Sequence, residues 1–239
     1  MAEYTKTVEI MEGDYFAQMP PKLVLEHCLS VTLIDIFRDG LTKQAIYDAC
    51  GAVWMISHMR FTQTAPIREG DELVFHTHPR VEERARYIYE AEITRGEEEL
   101  VRFECSYIPV DKAARKVVRL TSLAPLWKSP ARETETPSTL RRLRPECTFT
   151  PCGSDTVRLS DCDGNRHMTS GAYLSLACNA LGFWESDSPR YMKMMQLDYI
   201  SEVYPGTLLH FERGEAEGIR YVRGLKPDGT VAFTAACDF

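Results

Sequence analysis

The chain has no Cys-x-x-C pair, no Gly-x-Ser-x-Gly elbow, no surplus of basic charge and no long apolar run. With 239 residues and a formal net charge of −7, it lacks the basic surface that bulk nucleic-acid or anionic-membrane binding requires. No stretch approaches the ~18 consecutive apolar residues of a membrane span, and Met1 to Lys6 holds no apolar signal core, so a soluble cytoplasmic protein is expected. The 8 cysteines show no zinc spacing. Cys28, Cys105, Cys178 and Cys237 lie in apolar runs and read as buried thiols of a reducing compartment. A lone His among scattered acids is a weak metal site, so neither metal nor cofactor is expected. Without the nucleophile elbow, an acyl-serine mechanism lacks its usual signal.

What the chain does have is apolar content of 44%, enough for packed cores, and a length that suits one large domain or two of about 110–120 residues. Tyr4 to Met11 alternates like a strand. Pro20-Pro21 then opens a helix whose apolar side runs through Leu25, Leu29, Leu33 and Ile36 and stops at Asp39-Gly40. A shorter helix, Thr42 to Cys50, follows. From Ala52 the period changes to two, and strands are expected at Val53 to Phe61, Glu72 to His78, Ala85 to Thr94, Leu100 to Tyr107 and Lys116 to Leu120. A buried helix followed by an antiparallel meander is an α+β arrangement, and a long helix wrapped by such a sheet resembles the hotdog fold. Pro125, Pro130, Pro137 and Pro145 mark residues 125–145 as an exposed linker. Beyond it the order recurs: a strand at Thr148 to Leu159, a helix to about Trp184 with Pro189 beyond it, then strands at Tyr191 to Val203, Leu208 to Gly214, Tyr221 to Leu225 and Thr230 to Asp238. Two copies give a double hotdog, 1–124 and 146–239, each a long central helix wrapped by an antiparallel sheet.

Chemistry concentrates before the second helix. Asp163, Asn165 and His167 stand at alternate positions of a loop, and Thr169 or Ser170 is a plausible N-cap for a helix carrying Tyr173, Ala177 and Trp184. In extended chain, alternate side chains share a side, so the three groups could face one pocket beside the positive end of a helix dipole. The amides of Ser170 and Gly171 could then bind an oxyanion, with Gly171 permitting close approach. The plain alternative is turn chemistry, because Asp-Gly-Asn commonly bonds its own backbone.

Asp-x-Asn-x-His followed by a Tyr-bearing helix resembles the active-site motif of the acyl-ACP thioesterases, and the resemblance spans nearly the whole chain. That family carries a Glu on the strand after the helix. The matching segment, Met194-Met195-Gln196-Leu197-Asp198-Tyr199-Ile200-Ser201-Glu202, assigns this role to Glu202. The chain departs from the family at Thr169-Ser170, where an Asn pair is usual, and at Val203, where Cys is frequent, which argues against a Cys–His mechanism. The resemblance implies that the second copy catalyses and the first holds the acyl chain, with Leu29, Leu33, Trp54, Ile56 and Phe61 as candidates that could equally be plain core. It implies a thioester hydrolase that releases free fatty acid and holo-acyl carrier protein and so ends chain elongation. Acyl carrier protein and its fatty acyl chain are then the partners, and the oligomer is a monomer or homodimer.

As roles, Asp163 or Glu202 could activate water, or Asp163 could attack directly. His167 would orient the base or carry a proton, and Asn165 would hold carbonyl or water. Two nearby acids should leave one with a raised pKa. Arg141, Arg142 and Arg144 read either as a solvated tether or as a docking patch for an acidic carrier or a phosphopantetheine phosphate. Where the second copy has Asp163, Asn165 and His167 before its helix, the first has Gly13, Tyr15 and Ala17, and an ungapped match sets Thr64 against Glu202, so the polar quartet is expected in one copy alone. The alternatives are an acyl-CoA thioesterase, a hotdog hydratase or dehydratase, and a non-hydrolytic acyl-binding hotdog.

Overall fold

A computed structural model describes residues 2–83, 86–126, 138–185 and 190–239. Pro130, Pro137, Pro189 and Ala85 lie outside the described residues, as does most of the expected linker.

Among the described residues, ten strands form one antiparallel sheet. The first half supplies β1 (Ala2–Thr7), β2 (Ala52–Gln63), β3 (Glu72–Glu83), β4 (Arg86–Arg95) and β5 (Glu98–Asp111). The second supplies β6 (Thr150–Thr156), β7 (Met194–Tyr199), β8 (Leu208–Ala216), β9 (Ile219–Leu225) and β10 (Val231–Asp238). The order across the sheet is β1-β3-β4-β5-β2-β7-β10-β9-β8-β6. The halves meet where β2 pairs with β7, Met59 opposite Leu197 and Phe61 opposite Met195. The order is palindromic about that seam, which is the geometry of two hotdogs joined edge to edge, and pairing the two inner edges protects both from foreign strands.

Among the described residues, three α-helices serve this sheet. Helix α1 (Pro21–Arg38) starts where the two prolines permit and buries Val24, Leu25, Cys28, Thr32 and Ile36;. Helix α2 (Lys43–Cys50) is capped by the Thr42 hydroxyl and ended by Gly51 at φ 67°;. Helix α3 (Ser170–Ala180) is capped by Thr169 and buries Ala172, Tyr173, Leu174 and Ala177. Helices α1 and α3 pack on each other, and a side chain on Gly171 would run into the Glu26 carboxyl group and the Lys22 stem of α1. Among the described residues, no helix is long and apolar enough to cross a membrane.

Three sequence expectations change. Lys116 to Leu120 is not a strand. Val117 makes a single bridge to Val110, and a short 3₁₀ turn takes Leu120–Ser122. The second helix stops at Ala180 rather than near Trp184, because Gly182 adopts φ 68° directly after it;. Residues 138–143 are not an exposed tether but a strap on the sheet's outer side. Leu140 is fully buried. The Ser138 hydroxyl donates to Glu104 (2.7 Å), Arg86 donates to Leu140 O (3.1 Å), Gln196 donates to Arg141 O (2.6 Å), and the Leu143 amide donates to Asp198 (2.6 Å).

Candidate active site

The loop before α3 is a tight turn rather than extended chain. The Asp163 amide donates to His167 O (3.0 Å), the Arg166 amide donates back to Asp163 O (2.9 Å), and Arg166 sits at φ 67°. The Asp163 carboxylate accepts from the Asn165 amide (2.8 Å) and from Asn165 Nδ2 (2.9 Å). Alternation along a straight segment therefore does not align the three side chains; the turn fixes Asn165 on Asp163 and leaves His167 apart from them. Asn165 Oδ1 in turn accepts from Lys43 Nζ (3.1 Å), the first residue of α2.

His167 and Glu202 form a second pair. The Met168 amide donates to Val203 O (2.9 Å), tying the loop to the chain just past β7. His167 Nε2 then lies 4.0 Å from Glu202 Oε2, beyond hydrogen-bond range but of the kind that tightens when a substrate binds. The Tyr204 hydroxyl (2.8 Å) and Arg115 Nη2 (2.9 Å) both donate to Glu202 Oε2, and the Tyr204 ring stands edge-on to His167 at 5.2 Å. Partial burial pushes the Glu202 carboxyl up, but the bonds from Tyr204 and Arg115, the Arg115 charge and the nearby His167 together bring it below the usual range;. Glu202 is thus kept ionised and is not the acid with the raised pKa. Asp163 and Asn165 are exposed, His167 and Glu202 half-buried. Among the described residues no hydrogen bond joins one pair to the other.

The turn recurs in the first copy, one residue out of the register expected from the sequence. The Asp14 amide donates to Gln18 O (2.8 Å), the Phe16 amide to Asp14 Oδ1 (2.8 Å) and the Met19 amide to Ile67 O (2.7 Å), and Ala17 takes φ 55°. Each bond has its counterpart at Asp163, Asn165, Met168 and Arg166. Asp163 therefore corresponds to Asp14, Asn165 to Phe16, His167 to Gln18 and Glu202 to Pro66. The loops after β2 and β7 have the same length, from Gln63 to Glu72 and from Tyr199 to Leu208, so the Thr64 match fails because it sets the two strands themselves two residues out of register. The Asp is common to both turns and shapes them; the amide, imidazole and second carboxylate occur in one copy.

The remaining candidates sort by place. The Thr169 hydroxyl accepts the Ala172 amide (3.2 Å), while the amides of Ser170 and Gly171 lie in the first turn, where no intrahelical acceptor exists. The small size of Gly171 serves the approach of α1. Phe61 is fully buried, and Leu29, Leu33, Trp54 and Ile56 are partly buried against the core. Arg141 donates to Ser138 O and Leu140 O (both 3.0 Å), whereas Arg142 and Arg144 extend from an exposed stretch. An open cleft of about 500 Å³ lies elsewhere, lined by Thr150, Glu185, Arg190, Arg213 and Arg220, and none of the candidate residues borders it. Among the described residues no group of His, Cys, Asp and Glu is placed to hold a metal ion. Lys43, Arg115 and Tyr204 were not singled out in the sequence. Tyr204, two residues from Glu202, was within reach of a strand-end reading; the other two are distant in sequence, and no local signal marks them.

No protein-family model matches the chain. No curated protein sequence matches it either. Solved structures do. An acyl-ACP thioesterase from Bacteroides thetaiotaomicron superposes with a TM-score of 0.80 at 15% identity, covering 100% of this chain and 97% of that one. A 12:0-ACP thioesterase from Umbellularia californica gives 0.78 at 14% identity, covering 99% and 96%. A MaoC-like dehydratase from Phytophthora capsici is more distant, at 0.53 and 10% identity over 78% of this chain and 71% of that one. At these identities the likeness is one of fold, and by fold the chain is a double hotdog matching the two thioesterase structures over essentially its full length.

Proposed function

We propose that the chain is a thioester hydrolase acting on fatty acyl groups carried by acyl carrier protein, releasing the free acid and holo-carrier protein and so ending chain elongation in the cytoplasm. The observation that carries this reading is the pair His167–Glu202 at 4.0 Å, with the carboxylate held ionised by Tyr204 and Arg115. An ionised carboxylate beside an imidazole is the equipment for activating water. Two residues before His167 is Asn165, an amide fixed from both ends by Asp163 and Lys43.

A thioester carbonyl is already electrophilic, since sulfur donates poorly into it. A water held by Glu202 and His167 gives up its proton to the ionised Glu202, which relays it to His167, as the water oxygen attacks the carbonyl carbon. Asn165 and the first-turn amides of α3 are the donors available to the oxyanion. The tetrahedral adduct collapses, the C–S bond breaks, and the protonated His167 supplies the leaving thiolate with a proton. Asp163 acts as a positioning residue through Asn165. Direct attack by Asp163 is disfavoured because both its oxygens already accept hydrogen bonds from Asn165.

The experiment is thiol release from matched acyl-ACP and acyl-CoA across chain lengths, for the wild type, Glu202→Gln, His167→Ala and Asp163→Asn. Faster release from acyl-ACP, with a loss of about 10²–10⁴ in the Glu202 and His167 variants, is expected. Preference for acyl-CoA would make the chain an acyl-CoA thioesterase. Loss of the enoyl or hydroxyacyl form without thiol release would point to hydratase chemistry. Near-normal turnover in both variants would sink the assignment of the site.

A further inference from the structure

The helix-facing side of the first sheet is not uniformly aliphatic. Near Leu73, Phe75, Ile93 and Phe103 it is apolar, but toward the start of β2 it turns aromatic and polar. Tyr87 and Tyr107 are fully buried there, opposite each other on β4 and β5. The Trp54 ring stacks on Tyr87 (5.8 Å) and meets Tyr107 edge-on (6.1 Å). The Tyr107 hydroxyl is 3.2 Å from the Thr32 hydroxyl on α1. Within this cluster Trp54 Nε1 is buried with no hydrogen-bond partner. A buried indole N–H normally finds an acceptor, and leaving one unmet is costly.

This cluster connects to the candidate active site by two routes. Along the chain, Trp54 lies two residues into β2 from Ala52, which pairs with Asp111; Asp111 O accepts from the Arg115 amide (2.9 Å), and Arg115 holds Glu202. Across the core, the Ser170 side chain at the start of α3 bears on Tyr199, the Tyr199 hydroxyl donates to Met59 Sδ (3.6 Å), and Cys105, which Met59 faces across β2 and β5, reaches Tyr107. The hydrogen-bonding atoms named on both routes already have partners, which leaves Trp54 Nε1 as the donor without one.

We infer that the acyl group this protein takes carries a hydrogen-bond-accepting oxygen, keto or hydroxyl, in the half of the chain distal to the thioester, and that Trp54 Nε1 donates to it. The inference rests on the thioesterase reading and names the substrate class of that same site. Discrimination of this kind is strong because a pocket built with an unmet donor rejects the analogue that lacks the acceptor.

The test compares a saturated acyl-ACP with same-length acyl-ACPs carrying one keto oxygen, its position scanned along the distal half of the chain. Wild type should favour one keto position over the saturated chain by about tenfold or more in kcat/KM, and Trp54→Phe, which keeps the ring stack, should remove most of that preference. Equal or better hydrolysis of the saturated chain by wild type overturns the inference and leaves the thioesterase reading standing. So does a preference that Trp54→Phe leaves unchanged. If no thioester is cleaved, the thioesterase reading has failed, and calorimetric binding of non-hydrolysable amide analogues decides the acyl class. Tighter binding of the keto analogue, lost in Trp54→Phe, supports it; equal binding overturns it.

Discussion

Acid should weaken this fold through His58, and the size of the effect follows from its surroundings. His58 is 8% exposed. It lies on the outer side of β2 beneath the 138–143 strap, opposite Asp198. Its Nε2 is 3.1 Å from Arg86 Nη1, a group that can only donate, so the ring must accept there and stay neutral. Burial above all, then the charges of Arg86, Arg142 and Arg141, lowers its pKa from 6.5 to about 4, against an opposing bond with Leu140 O. The unfolded chain takes up a proton near 6.5 that the folded chain refuses until about 4. The stability His58 confers is therefore complete above pH 6.5 and is lost as the pH falls from there toward 4. Linkage puts the loss between about pH 7.5 and pH 5 at ~2 kcal/mol. Urea unfolding at the two pH values measures it, and His58→Gln isolates it from the carboxylates. Burial raises Asp198, Asp35 and Asp14, so those three act in the opposite sense. The variant keeps an acceptor for Arg86 but cannot titrate, and its acid loss should be smaller by about that ~2 kcal/mol. An equal acid loss in wild type and variant would refute the reasoning.

Three further outcomes follow from the same geometry. Arg115→Ala removes a donor and a positive charge from Glu202, so the carboxyl titrates higher and the acid limb of the pH–rate profile for kcat/KM moves to higher pH; an unmoved limb would remove Glu202 from the base role;. Leu140→Ala should cost about 2–4 kcal/mol in urea unfolding, because Leu140 is fully buried in the strap, whereas a true tether would lose nothing measurable;. Gly224→Ala should cost about 1–3 kcal/mol, since its Cβ would overlap the Phe233 ring, itself fully buried and wedged edge-on against Tyr173; recovery in Gly224→Ala/Phe233→Leu would assign the cost to that overlap.

Much of the fold is legible in the sequence because its signals are local. The proline pair and Asp39-Gly40 bound α1, and the switch to period two announces the meander. Where the reading fails, the deciding interaction is remote. Lys116 to Leu120 alternates like a strand, but its pairing with the end of β5 is confined to the Val110–Val117 bridge, because a 3₁₀ turn takes the chain from Leu120. Ser138, Leu140, Arg141 and Leu143 look like linker residues because their partners, Glu104, Arg86, Gln196 and Asp198, lie far along the chain. The register between copies slips by one because sequence matching has no knowledge of the turn bonds that align Asp14 with Asp163.

That slip changes what the duplication says about chemistry. With Asp163 matched to Asp14, the carboxylate at the head of the loop belongs to the turn in both copies, and its bond from the backbone amide two residues ahead is the same in each. What distinguishes the second loop is Asn165 in place of Phe16, His167 in place of Gln18, and Glu202 in place of Pro66. The first loop spends these positions on packing: Phe16 stacks on Trp184 at 6.3 Å, and Gln18 is buried with its side-chain amide bonded to Arg190 O. The second loop leaves them open toward the first half, which answers with Lys43 and Arg115. A motif in one copy therefore names only part of the candidate site. The groups that fix Asn165 and keep Glu202 ionised come from the other copy, across the β2–β7 seam, so the polar set is complete only when both halves are joined.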